Sequence, residues 1–278
     1  MKENDIKKAI RKGYAGIAQQ SADCACTKTC CDDTNTAQAT GKEIGYTEED
    51  LKKVPQGANL GLGCGNPTAL ANLKQGETVL DLGAGAGFDC FLAADKVGKN
   101  GKVIGVDMTP EMIDKARENA QKGNYGNVEF RLGEIENLPA ADSSVDVIIS
   151  NCVINLSDDK KRVFKEAFRV LKPGGKMMVS DIVLLKELPD FIKNSISAYV
   201  GCLSGALLKN DYINIIKEVG FNEVEITKET LFPIDCMLND STIQAIIKDS
   251  KIPPEKVKKT ANSVISVSVY GVKPAETT

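Results

Sequence analysis

The sequence predicts an α/β protein built on a parallel sheet with right-handed crossovers, and three observations carry that expectation. Short apolar runs alternate with amphipathic stretches between Thr78 and Val183. The run Thr78-Val79-Leu80-Asp81-Leu82 breaks into Gly83-Ala84-Gly85-Ala86-Gly87, the pattern of a buried strand turning tightly into a helix. The next apolar run, from Lys102, ends in an acid at Asp107. A glycine turn of this kind lets the backbone approach a ligand more closely than a side chain would permit.

In chain order, residues 1–23 place Ile6, Ile10, Tyr14 and Ile17 at helical spacing and predict an amphipathic helix. Residues 24–42 are small, polar and cysteine-rich and predict a loop. Thr47 followed by Glu48-Glu49-Asp50 marks a helix start. Pro55, Gly57, Gly61, Gly63, Gly65 and Pro67 predict an irregular segment, with a short helix over 68–73. The core pattern then predicts helices over 88–97, 110–122 and 158–171, the last stopped by Pro173-Gly174-Gly175. Strands are predicted over 102–107, 127–132, 145–150 and 176–183. Beyond them the rhythm changes, with helices over 189–200 and 211–219 and strands over 223–227 and 264–272. Residues 232–258 carry no decisive pattern. The chain thus divides into an N-terminal segment (1–74), a core (75–185) and a C-terminal elaboration (186–278).

Composition narrows the chemistry. The 278 residues are 42% hydrophobic and 26% charged, as in an ordinary globule. A net charge of −3 argues against a nucleic-acid partner, which selects basic surfaces. No apolar run reaches the roughly 18 residues of a membrane helix. The charged start Met1-Lys2-Glu3-Asn4-Asp5 has no apolar signal core behind it, so a cytoplasmic protein with reduced thiols is expected. There are nine cysteines and no histidine, which removes Ser-His and Cys-His nucleophile pairs and histidine-ligated metals.

The glycine turn alone does not name its cofactor. Its third glycine comes one residue earlier than in the dinucleotide fingerprint, and an acid at Asp81 precedes the turn. Asp107 suits ribose hydroxyls in either case. Taken together, Val79-Leu80-Asp81-Leu82-Gly83, the glycines, Asp107 and Leu171-Lys172-Pro173-Gly174-Gly175 resemble the seven-stranded (class I) S-adenosylmethionine-dependent methyltransferases over residues 75–185. The resemblance implies a Rossmann-like sheet with helices on both faces. It implies that Asp81, Gly83, Ala84, Gly85 and Gly87 lie against the cofactor's amino-acid end and that Asp107 holds the ribose. Met108, Glu134 and Ile135 would lie near the adenine, with Asn151 also at the cofactor. A degenerate dehydrogenase is the competing reading of the loop.

The acceptor is read from the cysteines. Cys152 follows the fourth strand, where open parallel sheets bind ligands. Cys64 and Cys202 each lie among small residues, in Gly61-Leu62-Gly63-Cys64-Gly65 and Gly201-Cys202-Leu203-Ser204-Gly205. Thiolates select thiophilic ions. Catalytic zinc commonly takes histidine, which is absent here, whereas trivalent arsenic suits three sulfurs and keeps a lone pair that can attack a methyl without a base. Asn59-Leu60-Gly61-Leu62-Gly63-Cys64-Gly65-Asn66-Pro67, Ser150-Asn151-Cys152-Val153-Ile154-Asn155-Leu156 and Gly201-Cys202-Leu203-Ser204-Gly205-Ala206 are similar to the arsenite methyltransferases, a likeness running from about residue 45 to 273.

That resemblance implies that Cys152 and Cys202 bind arsenic, that Cys64 is a third ligand or redox partner, and that Cys64 exchanges disulfides with an N-terminal cysteine. Cys30 and Cys31 are the candidates for that partner, with Cys24 and Cys26 nearby. It further implies arsenite or its thiol conjugates as substrate, a glutathione or thioredoxin reductant and a monomer. Two alternatives stay open: a methyltransferase for a small quinone-like acceptor, and a metalloid-binding sensor built on the N-terminal thiols. Cys90 and Cys236 read as small apolar core residues, and the spacing of Cys24, Cys26, Cys30 and Cys31 lacks the paired motif of a zinc clip.

Overall fold

The strand β1 (Thr78–Leu82) is buried at four of its five positions and lies inside a seven-stranded sheet. The computed structural model describes residues 3–20, 31–188, 205–231 and 263–275. Strand order is β3-β2-β1-β4-β5-β7-β6, with β2 (Lys102–Asp107), β3 (Val128–Leu132), β4 (Val145–Asn151), β5 (Leu171–Leu184), β6 (Asn222–Leu231) and β7 (Val264–Val272). The first five strands are mutually parallel, and the order reverses between β1 and β4. β7 runs antiparallel between β5 and β6, with Val269 opposite Val179. The edge strand β6 carries Glu223, Glu225, Lys228 and Glu229 along a mostly exposed pattern, charge that discourages further strand pairing.

Alternation along β1 divides the core in two. Leu80 and Leu82 face one layer with helices α7 (Lys160–Val170) and α8 (Lys209–Val219), through Val163, Phe164, Tyr212 and Ile216. Val79 faces the other with α5 (Phe88–Val97) and α6 (Pro110–Lys122), through Phe91, Ala94, Ile113 and Ala116. The apolar runs of β1 and β4 follow from this burial on both faces. Helices therefore cover both faces of a Rossmann-like sheet, as expected.

The N-terminal helices α1 (Glu3–Gln20), α2 (Cys31–Ile44), α3 (Glu48–Lys53) and α4 (Pro67–Leu70) precede the sheet. α3 starts as its sequence predicts: Asp50 N donates to Thr47 Oγ1 at 3.1 Å, and Thr47 N donates to Asp50 Oδ2 at 3.0 Å. The loop expected over 24–42 is corrected by α2, which begins at Cys31. Ala37 and Ala39 within it favour helix. β5 also starts five residues earlier than expected, because Gly174 N donates to Lys273 O and Lys273 N donates to Gly175 O, both at 2.9 Å. The helix expected over 189–200, the stretch 232–258, and Cys24, Cys26, Cys30, Cys202 and Cys236 lie outside the described residues.

Candidate active site

A cleft opens above the carboxyl ends of β1, β2 and β4, where the strand order reverses. Of the residues singled out by sequence, Asp81, Gly83, Ala84, Gly85, Asp107, Met108, Ile135, Asn151 and Cys152 line it. Gly87 instead caps α5 with φ +95°. Glu134 faces α1: Lys7 Nζ lies 3.0 Å and an Arg11 guanidinium nitrogen 2.5 Å from its carboxylate. Lys7 also pairs with Glu136 at 3.2 Å, and Lys7, Tyr14 and Glu136 are cleft residues. α1 thus closes one wall of the cleft through ion pairs.

The turn after β1 fits a nucleoside cofactor. Gly85 has φ +52°, and a Cβ on it would meet nothing within 4 Å, so its backbone faces open space. Its N–H donates to Asp107 Oδ2 at 3.0 Å, and Thr109 N donates to Oδ1 at 2.8 Å. Asp107 lines the cleft beside this turn, where a ribose hydroxyl can reach its carboxylate. Burial pushes the Asp107 carboxyl upward, and these backbone donors oppose it.

Asn151, the last residue of β4, joins this turn to the cysteine loop. Its Oδ1 accepts from Cys64 N at 2.9 Å and Gly65 N at 3.3 Å. Its Nδ2 lies 2.9 Å from Gly65 O, 2.9 Å from the Tyr46 hydroxyl and 3.1 Å from Asp89 Oδ2. Tyr46 in turn donates to Asp89 Oδ1 at 2.7 Å. Asp89 is the second residue of α5, in its first turn, and burial raises its carboxyl to about 6 against the pull of the Tyr46 and Asn151 donors. A Cβ on Gly63 would stand 2.6 Å from Asn151 Nδ2, so only glycine lets the loop pass this close.

Cys64 and Cys152 meet here. Their sulfurs and one carboxylate oxygen of Asp181 all lie within 4.8 Å of one another, and all three residues are buried. Cys152 is in the left-handed region at φ +58°, a conformation that costs a non-glycine residue about 1 kcal/mol. Its N–H donates to Ser180 O at 2.8 Å. Ser266 Oγ on β7 donates to Cys64 O at 2.6 Å. Cys31 opens α2.

A family model described as a methyltransferase domain matches residues 73–220. An arsenite methyltransferase of Halobacterium salinarum is 51% identical over 232 residues, which cover 80% of this chain and 59% of the relative. The human arsenite methyltransferase is 33% identical, over 92% of this chain and 71% of its own. A crystal structure of an arsenic(III) S-adenosylmethionine methyltransferase from Chlamydomonas reinhardtii superposes with a TM-score of 0.61 at 34% identity, over 87% of this chain and 74% of that one. The chain belongs to the arsenite methyltransferase family. It spans about three fifths of the Halobacterium relative's length and seven tenths of the human one's.

Sequence reading alone did not single out Tyr46, Asp89, Asp181, Lys7 or Glu136 in this arsenite methyltransferase family member. Asp181 had one signal, an acid at the carboxyl end of a parallel strand. Its Oδ1 accepts from Asn155 Nδ2 at 2.8 Å and Ile182 N at 2.9 Å, and its Oδ2 from the Tyr212 hydroxyl at 3.2 Å. Burial raises its carboxyl to about 7, opposed by these donors and by Lys160.

The neutral form is therefore the one the fold favours. Its contribution to stability is full below the unfolded value of 3.8 and is lost as pH rises toward 7. Asp181→Asn keeps an acceptor for Asn155 and Ile182 and offers Tyr212 an N–H. Its unfolding free energy, read from urea denaturation, should match wild type near pH 4 and exceed it at pH 8 by on the order of 4 kcal/mol at most. A gap that stays flat across pH 4–8 would show that Asp181 ionises at its ordinary value.

Reversing both α1 charges, with Lys7→Glu and Arg11→Glu, sets two further carboxylates against Glu134 and Glu136. Cofactor affinity measured by calorimetry should fall about tenfold, on the order of 1.4 kcal/mol, with melting temperature little changed. Unaltered affinity would show that α1 does not close the cleft.

Proposed function

We propose that this chain transfers methyl groups from S-adenosylmethionine to thiolate-bound trivalent arsenic, giving methylated arsenicals and S-adenosylhomocysteine. One observation carries the reading: Cys152 lines the cofactor cleft and lies with Cys64 in a single buried donor cluster. Soft sulfur donors that close together suit a thiophilic centre. S-adenosylmethionine supplies a methyl already activated on sulfonium. The protein's share is alignment: Asp107 and the Gly83–Gly85 backbone hold the nucleoside end, while Cys64 and Cys152 fix arsenic with its lone pair exposed. No general base is needed, in keeping with a chain without histidine.

Cys202 is proposed as a further sulfur ligand, and Cys30 or Cys31 as the disulfide partner of Cys64. Methyl transfer raises arsenic formally to the pentavalent state. Two thiols return it to the trivalent state by closing a disulfide, which a glutathione or thioredoxin system would reopen. We place the protein in the cytoplasm as a monomer, and among the described residues no helix is long and apolar enough to cross a membrane.

Incubation with arsenite, cofactor and excess thiol should yield methylarsenicals detectable by mass spectrometry. Cys202→Ser should abolish that product while leaving cofactor affinity intact. Protein that binds cofactor yet forms no methylarsenical would sink the proposal, and product from a quinone-like acceptor instead would favour the carbon or oxygen methyltransferase reading.

A further inference from the structure

We propose that Cys64, Cys152 and Asp181 form a binding site for a thiophilic divalent cation of the zinc or cadmium kind, and that such an ion competes with arsenite for the two sulfurs. The competition rests on the arsenic reading, whereas the cation site stands without it. The three donor atoms lie within 4.8 Å of one another. A tetrahedral ion with bonds of about 2.0–2.3 Å sets its donors roughly 3.3–3.8 Å apart. Small side-chain rotations close that gap. Asp181 is already aimed by Asn155, Ile182 N and Tyr212, the outer-shell support that ligating carboxylates receive, and Oδ2, which accepts from Tyr212 alone among these donors, keeps a lone pair for the ion.

The carboxylate separates two kinds of guest. Trivalent arsenic is satisfied by sulfur and gains little from a hard oxygen, whereas zinc and cadmium accept mixed sulfur and oxygen donors. Charge also fits. Two thiolates and a carboxylate are offset by a divalent ion together with Lys160, a buried ammonium whose positive charge acts on Asp181. The thiols and neutral Asp181 lose their protons to solvent when the ion enters, so binding should strengthen as pH rises.

The test is cadmium binding to the full chain in a parent carrying serine at positions 24, 26, 30 and 31, followed by equilibrium dialysis and thiolate-to-metal absorption. One ion per chain is expected. Cys64→Ser and Cys152→Ser should each weaken it at least 100-fold and Asp181→Asn at least tenfold, while Asp181→Asn changes arsenite affinity less than threefold. With the wild-type chain, saturating arsenite should displace cadmium from the site. Cadmium held equally by the parent and Asp181→Asn would overturn the proposal. So would simultaneous occupancy by cadmium and arsenite at these sulfurs. Failure of arsenite to bind, with the cadmium pattern intact, would overturn the substrate reading and the competition but support the cation site.

Discussion

Cys152→Ser should lower the rate of arsenite methylation by on the order of 10³ or more, equivalent to about 4 kcal/mol of lost transition-state stabilisation, with cofactor affinity unchanged. A hydroxyl is a poor ligand for a thiophilic centre, and the proposed arsenic site would lose the sulfur that lines the cofactor cleft. A glycine at the same position separates chemistry from architecture. Cys152 holds φ +58°, so Cys152→Gly relieves about 1 kcal/mol of backbone strain while giving up a comparable amount of side-chain burial. The glycine variant should melt within a few degrees of wild type and be as inactive as the serine variant. A serine variant that retained turnover would remove Cys152 from the reaction. A glycine variant that unfolded would assign the residue to packing.

Asn151→Leu should cost more stability than any other single change in the cleft, about 3–5 kcal/mol. It strips the Cys64 and Gly65 N–H groups of their common acceptor and takes a donor from Gly65 O, Tyr46 and Asp89. Urea unfolding measures the loss. Asn151→Asp is the sharper variant, because it keeps an acceptor for the loop but presents a carboxylate to buried Asp89. Its penalty should shrink below pH 6, the region in which Asp89 takes up a proton. A cost under 1 kcal/mol for the leucine variant would mean that the loop is held elsewhere, through Ser266 above all.

Much of this was legible in the chain. Helices over 88–97 and 110–122 and the strands over 102–107 and 264–272 stand where periodicity and end signals put them. Those segments are either buried on both faces or punctuated by proline and glycine, so local sequence and tertiary context agree. The glycine turn and Asp107 were readable for the same reason, since their roles are set by backbone geometry.

Asn151 shows the limit. Its position after the fourth strand was visible, but its grip on Cys64 and Gly65 was not, because 87 residues separate Cys64 from it. Asp181 and Tyr46 escaped likewise: an acid inside an apolar strand and a tyrosine after a glycine acquire meaning only from neighbours that the fold supplies. The helix α2 was hidden by cysteines and polar residues that suggested a loop.

The bond from Ser266 to Cys64 O joins residues 202 positions apart. During synthesis the chain emerges from its N-terminal side, and domains consolidate as their partners appear. The glycine turn can pair with β2 and β4 long before β7 exists, whereas the Cys64 loop must wait for β7 to slot between β5 and β6. Nascent chains should therefore gain the nucleotide-binding half first and the thiol half last. A ribosome-bound chain would not bring its paired sulfurs together until nearly the whole sheet had been assembled.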